Sequence, residues 1–153
     1  MVASNLIGVM FVNLSKLAIG RIRPPVEKAV ISAGGYALPS GHSYFGMIFY
    51  GLLVYFLMKH FGNFSKRLIV FLTGFGFVAL LAISRIYLGV HWASDVVAGL
   101  AMSTVWLILT IAYLEYRGAW QHKKIKGKRI EGDFWLFGAI WFLVVVGQFI
   151  GIR

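Results

Sequence analysis

Residues 84–95 read SRIYLGVHWASD and separate two long apolar runs, at 68–83 and 95–114. The segment carries arginine, histidine and aspartate, whereas the flanking runs carry almost no charge. His91 and Asp95 are four residues apart, a spacing that brings them to one face of a helix or of a turn entering a helix. Because charged groups are costly inside a bilayer, this cluster indicates a site at a membrane face.

The rest of the sequence has the composition of a membrane protein. Hydrophobic residues make up 59% of it and charged residues 13%, against about 25% charged in a typical soluble domain. Five apolar stretches come close to the roughly 20 residues that a helix needs to cross the hydrocarbon core: 2–19, 43–58, 68–83, 95–114 and 134–152. We therefore predict an all-α, integral membrane helical bundle of about five helices, forming a single domain over residues 1–153. Met1 leads directly into an apolar run without a charged segment or cleavage motif, so no secretory signal peptide is expected.

The lysine and arginine residues are divided unevenly between the two membrane faces. If the five stretches alternate in direction, one face receives nine of the fifteen: Lys59, Lys66, Arg67, Arg117, Lys123, Lys124, Lys126, Lys128 and Arg129. The positive-inside rule makes this face cytoplasmic, so 115–133 is predicted to be a basic cytoplasmic connection before an extra C-terminal helix at 134–152. Topology and anionic lipid headgroups explain the basic run at 123–129 without a nucleic-acid partner.

Alternating direction also brings three separated segments to the opposite face, which is the periplasmic or exterior one. The first and third stretches end at Lys16–Arg23 and Ser84–Arg85, while the second and fourth begin at His42 and Asp95. A core at 16–95 is thus predicted to assemble one site at the extracytoplasmic ends of the helices.

The cations of this face have the chemistry of a phosphate site. An arginine fork can hold two phosphate oxygens and a lysine supplies a compact charge, which suits Lys16, Arg23 and Arg85. Lysine and arginine at helix ends can instead extend toward the interface and complement the helix dipole, the interpretation that we prefer for Arg21 and Lys28. Lys16 lies a turn inside an apolar stretch, where a charge indicates function.

Two helix starts on this face carry histidines. In the segment Pro39-Ser40-Gly41-His42, Ser40 can cap the helix and Gly41 lets an anion approach its first N–H groups, although a helix start alone would also explain both. Asp95, or Ser94, could similarly only cap the fourth stretch. Capping would leave His91 unexplained, whereas a carboxylate beside one ring nitrogen would fix the tautomer and leave the other nitrogen free to attack.

The three segments together resemble the type-2 phosphatidic acid phosphatase superfamily: Lys16-(six residues)-Arg23-Pro24, Pro39-Ser40-Gly41-His42 and Ser84-Arg85-(five residues)-His91-(three residues)-Asp95. This superfamily contains lipid phosphate phosphatases, and its relatives include bacterial acid phosphatases and vanadium haloperoxidases. The resemblance covers about half of the chain, with every motif position filled in order. Members often have two helices before the first segment and end soon after the helix that follows the third. Here one short stretch precedes the first segment and 134–152 adds a further stretch.

The resemblance implies a phosphatase that acts on a lipid phosphate such as phosphatidylglycerol phosphate, phosphatidic acid or a polyprenyl pyrophosphate. It implies that His91 is the nucleophile that forms a phosphohistidine, that His42 is the acid that protonates the leaving alcohol, and that Asp95 orients His91. Phosphate binding is implied for Lys16, Arg23, Ser40, Gly41, Ser84 and Arg85.

The chain is poor in the ligands of a catalytic metal. Of its five carboxylates, three lie on the predicted cytoplasmic side, so we expect neither a metal nor another cofactor, with membrane lipids and a lipid phosphate substrate as partners. Two other functions stay open. A non-catalytic lipid-phosphate binding or transport protein needs the cations but neither an acid nor a nucleophile, and a vanadate-dependent oxidase shares the site but typically has the soluble form of the fold.

Overall fold

The computed structural model describes residues 2–25, 27, 29–31 and 33–124, and all regular structure in these ranges is helical. Four α-helices follow one another: α1 (Val2–Ile19), α2 (Gly41–His60), α3 (Phe64–Tyr87) and α4 (Ala93–Lys124). The first four predicted stretches are thereby confirmed as helices. The predicted fifth helix at 134–152 lies outside the described residues.

Three of the helices are long and apolar enough to cross a membrane: Gly41–His60, Phe64–Tyr87 and Ala93–Gly118. The apolar segment Ile7–Ile19 of α1 is shorter. The fourth helix extends beyond its apolar stretch to Lys124. The first part of the predicted connection at 115–133 is therefore helical. The prediction of an all-helical membrane bundle is confirmed for the described part of the chain.

Local capping explains where α2 and α3 begin and where α3 ends. Ser40 has an extended backbone, and its side chain accepts a hydrogen bond from the Ser43 N–H, as expected of an N-cap. Asn63 caps α3 by accepting from the Ser65 N–H at 2.8 Å. After α3, Gly89 adopts a φ of +70°, a left-handed conformation that favours glycine and turns the chain toward His91.

The second helix lies at the centre of the bundle. Within the spans, 56% of α2 is buried against 11% of α3 and 22% of α4, so α2 is surrounded by protein while α3 and α4 present apolar faces outward. In a bilayer, these outward faces would contact lipid tails. The core joins all four helices through Val12, Tyr44, Leu52, Val78 and Leu107.

A polar cluster ties α2 to α4 at the end opposite the three motif segments. Tyr55 donates a hydrogen bond to the Glu115 carboxylate at 2.5 Å, and Lys59 lies 2.7 Å from the same carboxylate oxygen. Both side chains of the Lys59–Glu115 pair are about half exposed, so solvent screens their attraction and the pair contributes little stability. Its position shows that the start of the predicted connection packs against α2.

Candidate active site

The site forms where α1 and α3 end and where α2 and α4 begin. The clearest link is a backbone one: the Ser40 N–H donates to the Asp95 carbonyl at 2.9 Å, which fixes the start of α2 to the first turn of α4. Gly99 permits this approach, because a Cβ at that position would lie 2.7 Å from the Ser40 carbonyl oxygen. The predicted convergence of the second and third segments is therefore confirmed.

His91 lies between α3 and α4 and is buried, with 4% of its surface exposed. Its Nε2 is 3.3 Å from Nη1 of Arg23, and its Nδ1 is 3.5 Å from Oδ2 of Asp95. Since a guanidinium can only donate, this contact favours Nε2 as the acceptor and the proton of the neutral ring on Nδ1. The Nε2 lone pair consequently faces the arginine.

Asp95 is fully buried, and its carboxylate contacts both the start of α4 and His91. Its Oδ2 accepts a hydrogen bond from the Trp92 N–H at 2.8 Å, which caps the start of α4, and the same oxygen faces His91 at 3.5 Å. That distance is beyond the usual range of an N–H···O hydrogen bond. Capping and orientation, which the sequence left as alternatives for Asp95, are thus compatible in one geometry.

Arg23 is held by backbone carbonyls on two sides. Its Nε donates to the carbonyls of Gly34 and Gly35 at 3.1 and 3.0 Å, and its Nη1 donates to the Val90 carbonyl at 2.8 Å. The guanidinium therefore connects the loop before α2 to the residue preceding His91. Such anchoring fixes the cation before any ligand arrives, which lowers the entropy cost of ligand binding.

At the end of α3, Ser84 and Arg85 contact each other. The Arg85 Nε donates to the Ser84 Oγ at 3.2 Å, and that hydroxyl donates to the Leu81 carbonyl at 2.8 Å. Both side chains are half-buried. The serine hydroxyl therefore links the Arg85 guanidinium to the last turns of α3.

His42 and Lys16 complete the group, and both are half-buried. His42 is close enough to interact electrostatically with His91 and with three cations, Arg85, Lys16 and Arg23. The second histidine therefore lies among the cations. Lys16 interacts in the same way with Arg23 and Asp95. The three predicted cations and both predicted histidines are therefore brought to one place.

Ser40 and Gly41 lie at the start of α2, and both are buried. The Ser40 Oγ accepts from the Ser43 hydroxyl at 3.0 Å and from the Ser43 N–H at 3.5 Å. The N-cap predicted from the sequence is confirmed. The helix N-terminus that begins here has the partial positive charge that attracts anions.

The electrostatic surroundings keep His91 uncharged. Burial, reinforced by the Arg23 guanidinium, lowers the pKa of His91 to about 4, and the opposing effect of the Asp95 carboxylate is smaller. At neutral pH the ring is therefore neutral, with a lone pair available on Nε2. A neutral imidazole is the form that can act as a nucleophile.

A sequence model of the PAP2 superfamily matches residues 1–119 of the 153-residue chain. This chain belongs to the PAP2 superfamily. The resemblance inferred from the three motif segments is thereby confirmed.

Two similar proteins agree with this assignment. Phosphatidylglycerophosphatase B of Bacillus subtilis (strain 168) is 33% identical over 98 residues, which are 63% of this chain and 48% of the relative. The crystal structure of a transmembrane PAP2-type phosphatidylglycerolphosphate phosphatase, also from Bacillus subtilis, is similar with a TM-score of 0.66 at 28% identity, covering 84% of this chain and 60% of that chain. The chain spans about half the length of the curated relative that it matches.

Sequence reasoning missed the contact that Arg21 makes in this cluster. The sequence favours an interfacial cation at Arg21, but in the structure its Nη1 lies 3.0 Å from Oδ1 of Asp95 and donates to the Ser94 hydroxyl at 2.7 Å. Arg21 and Arg23 are separated by one residue; the motif spacing identified Arg23, but nothing in the sequence indicated that Arg21 would reach Asp95. Lys28, given the same interpretation, lies outside the described residues.

Metal ligands are few in this PAP2 chain. No group of three or more histidine, cysteine or acidic residues lies close enough to hold a metal ion within the ranges that the structure describes. The metal-free reaction expected from the sequence stays a prediction, which a chelator experiment tests.

Proposed function

We propose that this protein is a membrane lipid phosphate phosphatase that works through a phosphohistidine on His91. The observation that carries the proposal is the placement of His91: it is buried and neutral, and its acceptor nitrogen lies 3.3 Å from an anchored arginine. An arginine in this position would hold a phosphate against the nitrogen that attacks it. Binding alone requires no such nucleophile.

In the first step, the phosphate is bound by Lys16, Arg23 and Arg85, together with the first N–H groups of α2. The Nε2 lone pair of His91 attacks phosphorus, and the bond from phosphorus to the lipid oxygen breaks. His42, which is protonated once the negative phosphate offsets the surrounding cations, donates this proton to that oxygen, so the lipid leaves as an alcohol. The cations stabilise the negative charge that spreads over the equatorial oxygens.

In the second step, water replaces the histidine. His42, now neutral, takes a proton from the water, whose oxygen attacks phosphorus as the bond to His91 breaks. Inorganic phosphate is released and both histidines return to their starting state. During both steps the Asp95 carboxylate stabilises the positive charge that develops on His91.

The position of the site supports a lipid substrate. Three of the described helices are long enough to span a bilayer, and the cluster lies at their ends, where a lipid headgroup would be found. Phosphatidylglycerol phosphate is the first candidate, because a relative at 33% identity is a phosphatidylglycerophosphatase. Phosphatidic acid and polyprenyl pyrophosphates carry the same terminal phosphate and belong in the same assay. The lysine and arginine distribution supports a site on the periplasmic or exterior face.

The proposal is tested with the full chain in detergent. Phosphate release from the three lipid phosphates should be measurable with chelator present, and a radiolabelled substrate should leave an acid-labile phosphoenzyme on rapid quenching. His91→Ala should abolish both signals. His60→Ala, which changes an exposed histidine at the other end of α2, is the matched control and should keep both. Binding without release from any of these lipids would favour the transport alternative.

A further inference from the structure

The Asp95 carboxylate has a second ionic partner besides the histidine it faces. Nη1 of Arg21 lies 3.0 Å from Oδ1, as an ion pair rather than an aligned hydrogen bond, and the same nitrogen donates to the Ser94 hydroxyl at 2.7 Å. Oδ2 is held by the Trp92 N–H at 2.8 Å and faces His91. Oδ1 thus faces Arg21, and Oδ2 faces Trp92 and His91. The positions of these neighbours define the plane of the Asp95 carboxylate.

The arginine is itself fixed at its backbone. The Arg21 carbonyl accepts a hydrogen bond from the Ala37 N–H at 2.8 Å, so the residue is tied to the loop that leads into α2. Its side chain then reaches the first turn of α4, 73 residues away at Ser94. This contact connects the segment after α1 to the third motif segment through a side chain that the proposed reaction does not use.

Resting on the proposed function, we infer that Arg21 is a positioning residue: it holds the Asp95 carboxylate so that Oδ2 faces Nδ1 of His91 and keeps the nucleophilic Nε2 unprotonated. A carboxylate whose Oδ1 were not held could rotate, because an aspartate side chain has a broad torsional preference about its terminal bond. The Trp92 N–H alone would leave that rotation open. The arginine also offsets part of the negative charge of a fully buried carboxylate, which is costly without a partner.

Direct phosphate binding by Arg21 is the competing role, and the geometry disfavours it. Nη1 of Arg21 faces Asp95 and Ser94, on the Nδ1 side of the histidine, whereas Nη1 of Arg23 lies beside His91 Nε2, the nitrogen that attacks phosphorus. The two arginines therefore serve opposite sides of the histidine: Arg23 the attacking nitrogen and Arg21, through Asp95, the other nitrogen. This division predicts different kinetic and spectroscopic consequences for their loss.

The kinetic test compares Arg21→Gln, Arg21→Lys, Asp95→Asn and the double variant Arg21→Gln with Asp95→Asn, using Arg67→Gln as a control at the exposed start of α3. Loss of an orienting partner should lower kcat about ten- to a hundredfold with little change in KM or in vanadate inhibition. Arg21→Lys should recover part of the loss. In the Asp95→Asn background, Arg21→Gln should change kcat by less than about twofold, because the arginine acts through the carboxylate.

The second test does not depend on turnover. With ¹⁵N-labelled histidine in the full chain, the ring nitrogen shifts report the tautomer, and His91 should carry its proton on Nδ1 in the wild type. Arg21→Gln and Asp95→Asn should both convert it to a mixture of tautomers, whereas Arg67→Gln should leave it unchanged. An inactive wild type would contradict the proposed function alone, since this measurement still decides the role of Arg21.

Three results would overturn the inference. Additive losses in the double variant would show that Arg21 acts apart from Asp95. A rise of tenfold or more in the vanadate inhibition constant, about 1.4 kcal/mol, would assign Arg21 to phosphate binding. An unchanged His91 tautomer in Arg21→Gln would leave the arginine with a role in stability only.

Discussion

Replacing Gly99 with alanine should separate the two histidines of the site without touching either. Gly99 lies in α4 where that helix crosses the start of α2, and a Cβ there would lie 2.7 Å from the Ser40 carbonyl oxygen. This is about 0.7 Å inside the 3.4 Å at which ordinary van der Waals contact begins. The carbonyl cannot rotate away easily, because it accepts the Tyr44 N–H at 3.0 Å.

The two helices must therefore move apart by a substantial fraction of an ångström. The movement would stretch the Ser40–Asp95 backbone hydrogen bond of 2.9 Å and carry His91 and Asp95 away from His42. A misplacement of about 1 Å can cost about a hundredfold in rate, so we expect kcat to fall about ten- to a hundredfold. The alanine itself favours the helix by about 1 kcal/mol, which opposes a loss of stability.

The assay is phosphate release from a lipid phosphate and from p-nitrophenyl phosphate, with the thermal unfolding midpoint recorded in the same detergent. Gly118→Ala is the matched control, since it makes the same change in the same helix where a Cβ meets nothing within 4 Å. It should keep full activity. Activity of Gly99→Ala within about threefold of the wild type would refute the reasoning, because it would mean that the helix crossing does not set the distance between the histidines.

Four further outcomes are expected. Activity should survive chelation and be inhibited by vanadate, a mimic of the transition state; restoration by Mg²⁺ after loss in chelator would contradict the metal-free reaction. His42→Ala should slow lipid phosphates far more than p-nitrophenyl phosphate, whose leaving group needs no proton, and equal losses on both would remove His42 as the acid. Since the chain has no cysteine, single cysteines introduced at Ala33 and Lys66 can report topology. An impermeant thiol reagent applied to intact cells should label the cysteine at position 33 and not the one at position 66. The reverse pattern would place the site in the cytoplasm. Burial lowers the pKa of His91 from 6.5 to about 4, so the contribution of the neutral ring to stability is present above pH 6.5 and is lost as the pH falls toward 4. The thermal unfolding midpoint should therefore fall less steeply between pH 6.5 and pH 4 in His91→Gln than in the wild type. The same pH dependence in both proteins would argue against a buried neutral ring.

Local patterns in the sequence were enough for the helices and for the face on which the site forms. Hydropathy indicated the four helices that the structure describes, and the serine at position 40 was identifiable as an N-cap because capping depends on a side chain and the N–H groups of the next turn. The convergence of Lys16, His42, Arg85 and His91 followed from the alternating direction of membrane-spanning helices. These properties depend on neighbours along the chain or on the bilayer, so they can be inferred without knowing how the helices pack.

The partners of individual side chains depended on the tertiary structure. Arg21 and Arg23 are two residues apart and have the same chemistry, yet one pairs with Asp95 and the other lies beside His91. The motif spacing singled out Arg23, but no local pattern indicated that Arg21 would reach Asp95, because an arginine side chain has many rotamers and its partner depends on the loop that fixes the backbone. The close crossing at Gly99 was likewise invisible, since the register between α2 and α4 results from packing of helix surfaces rather than from any local preference.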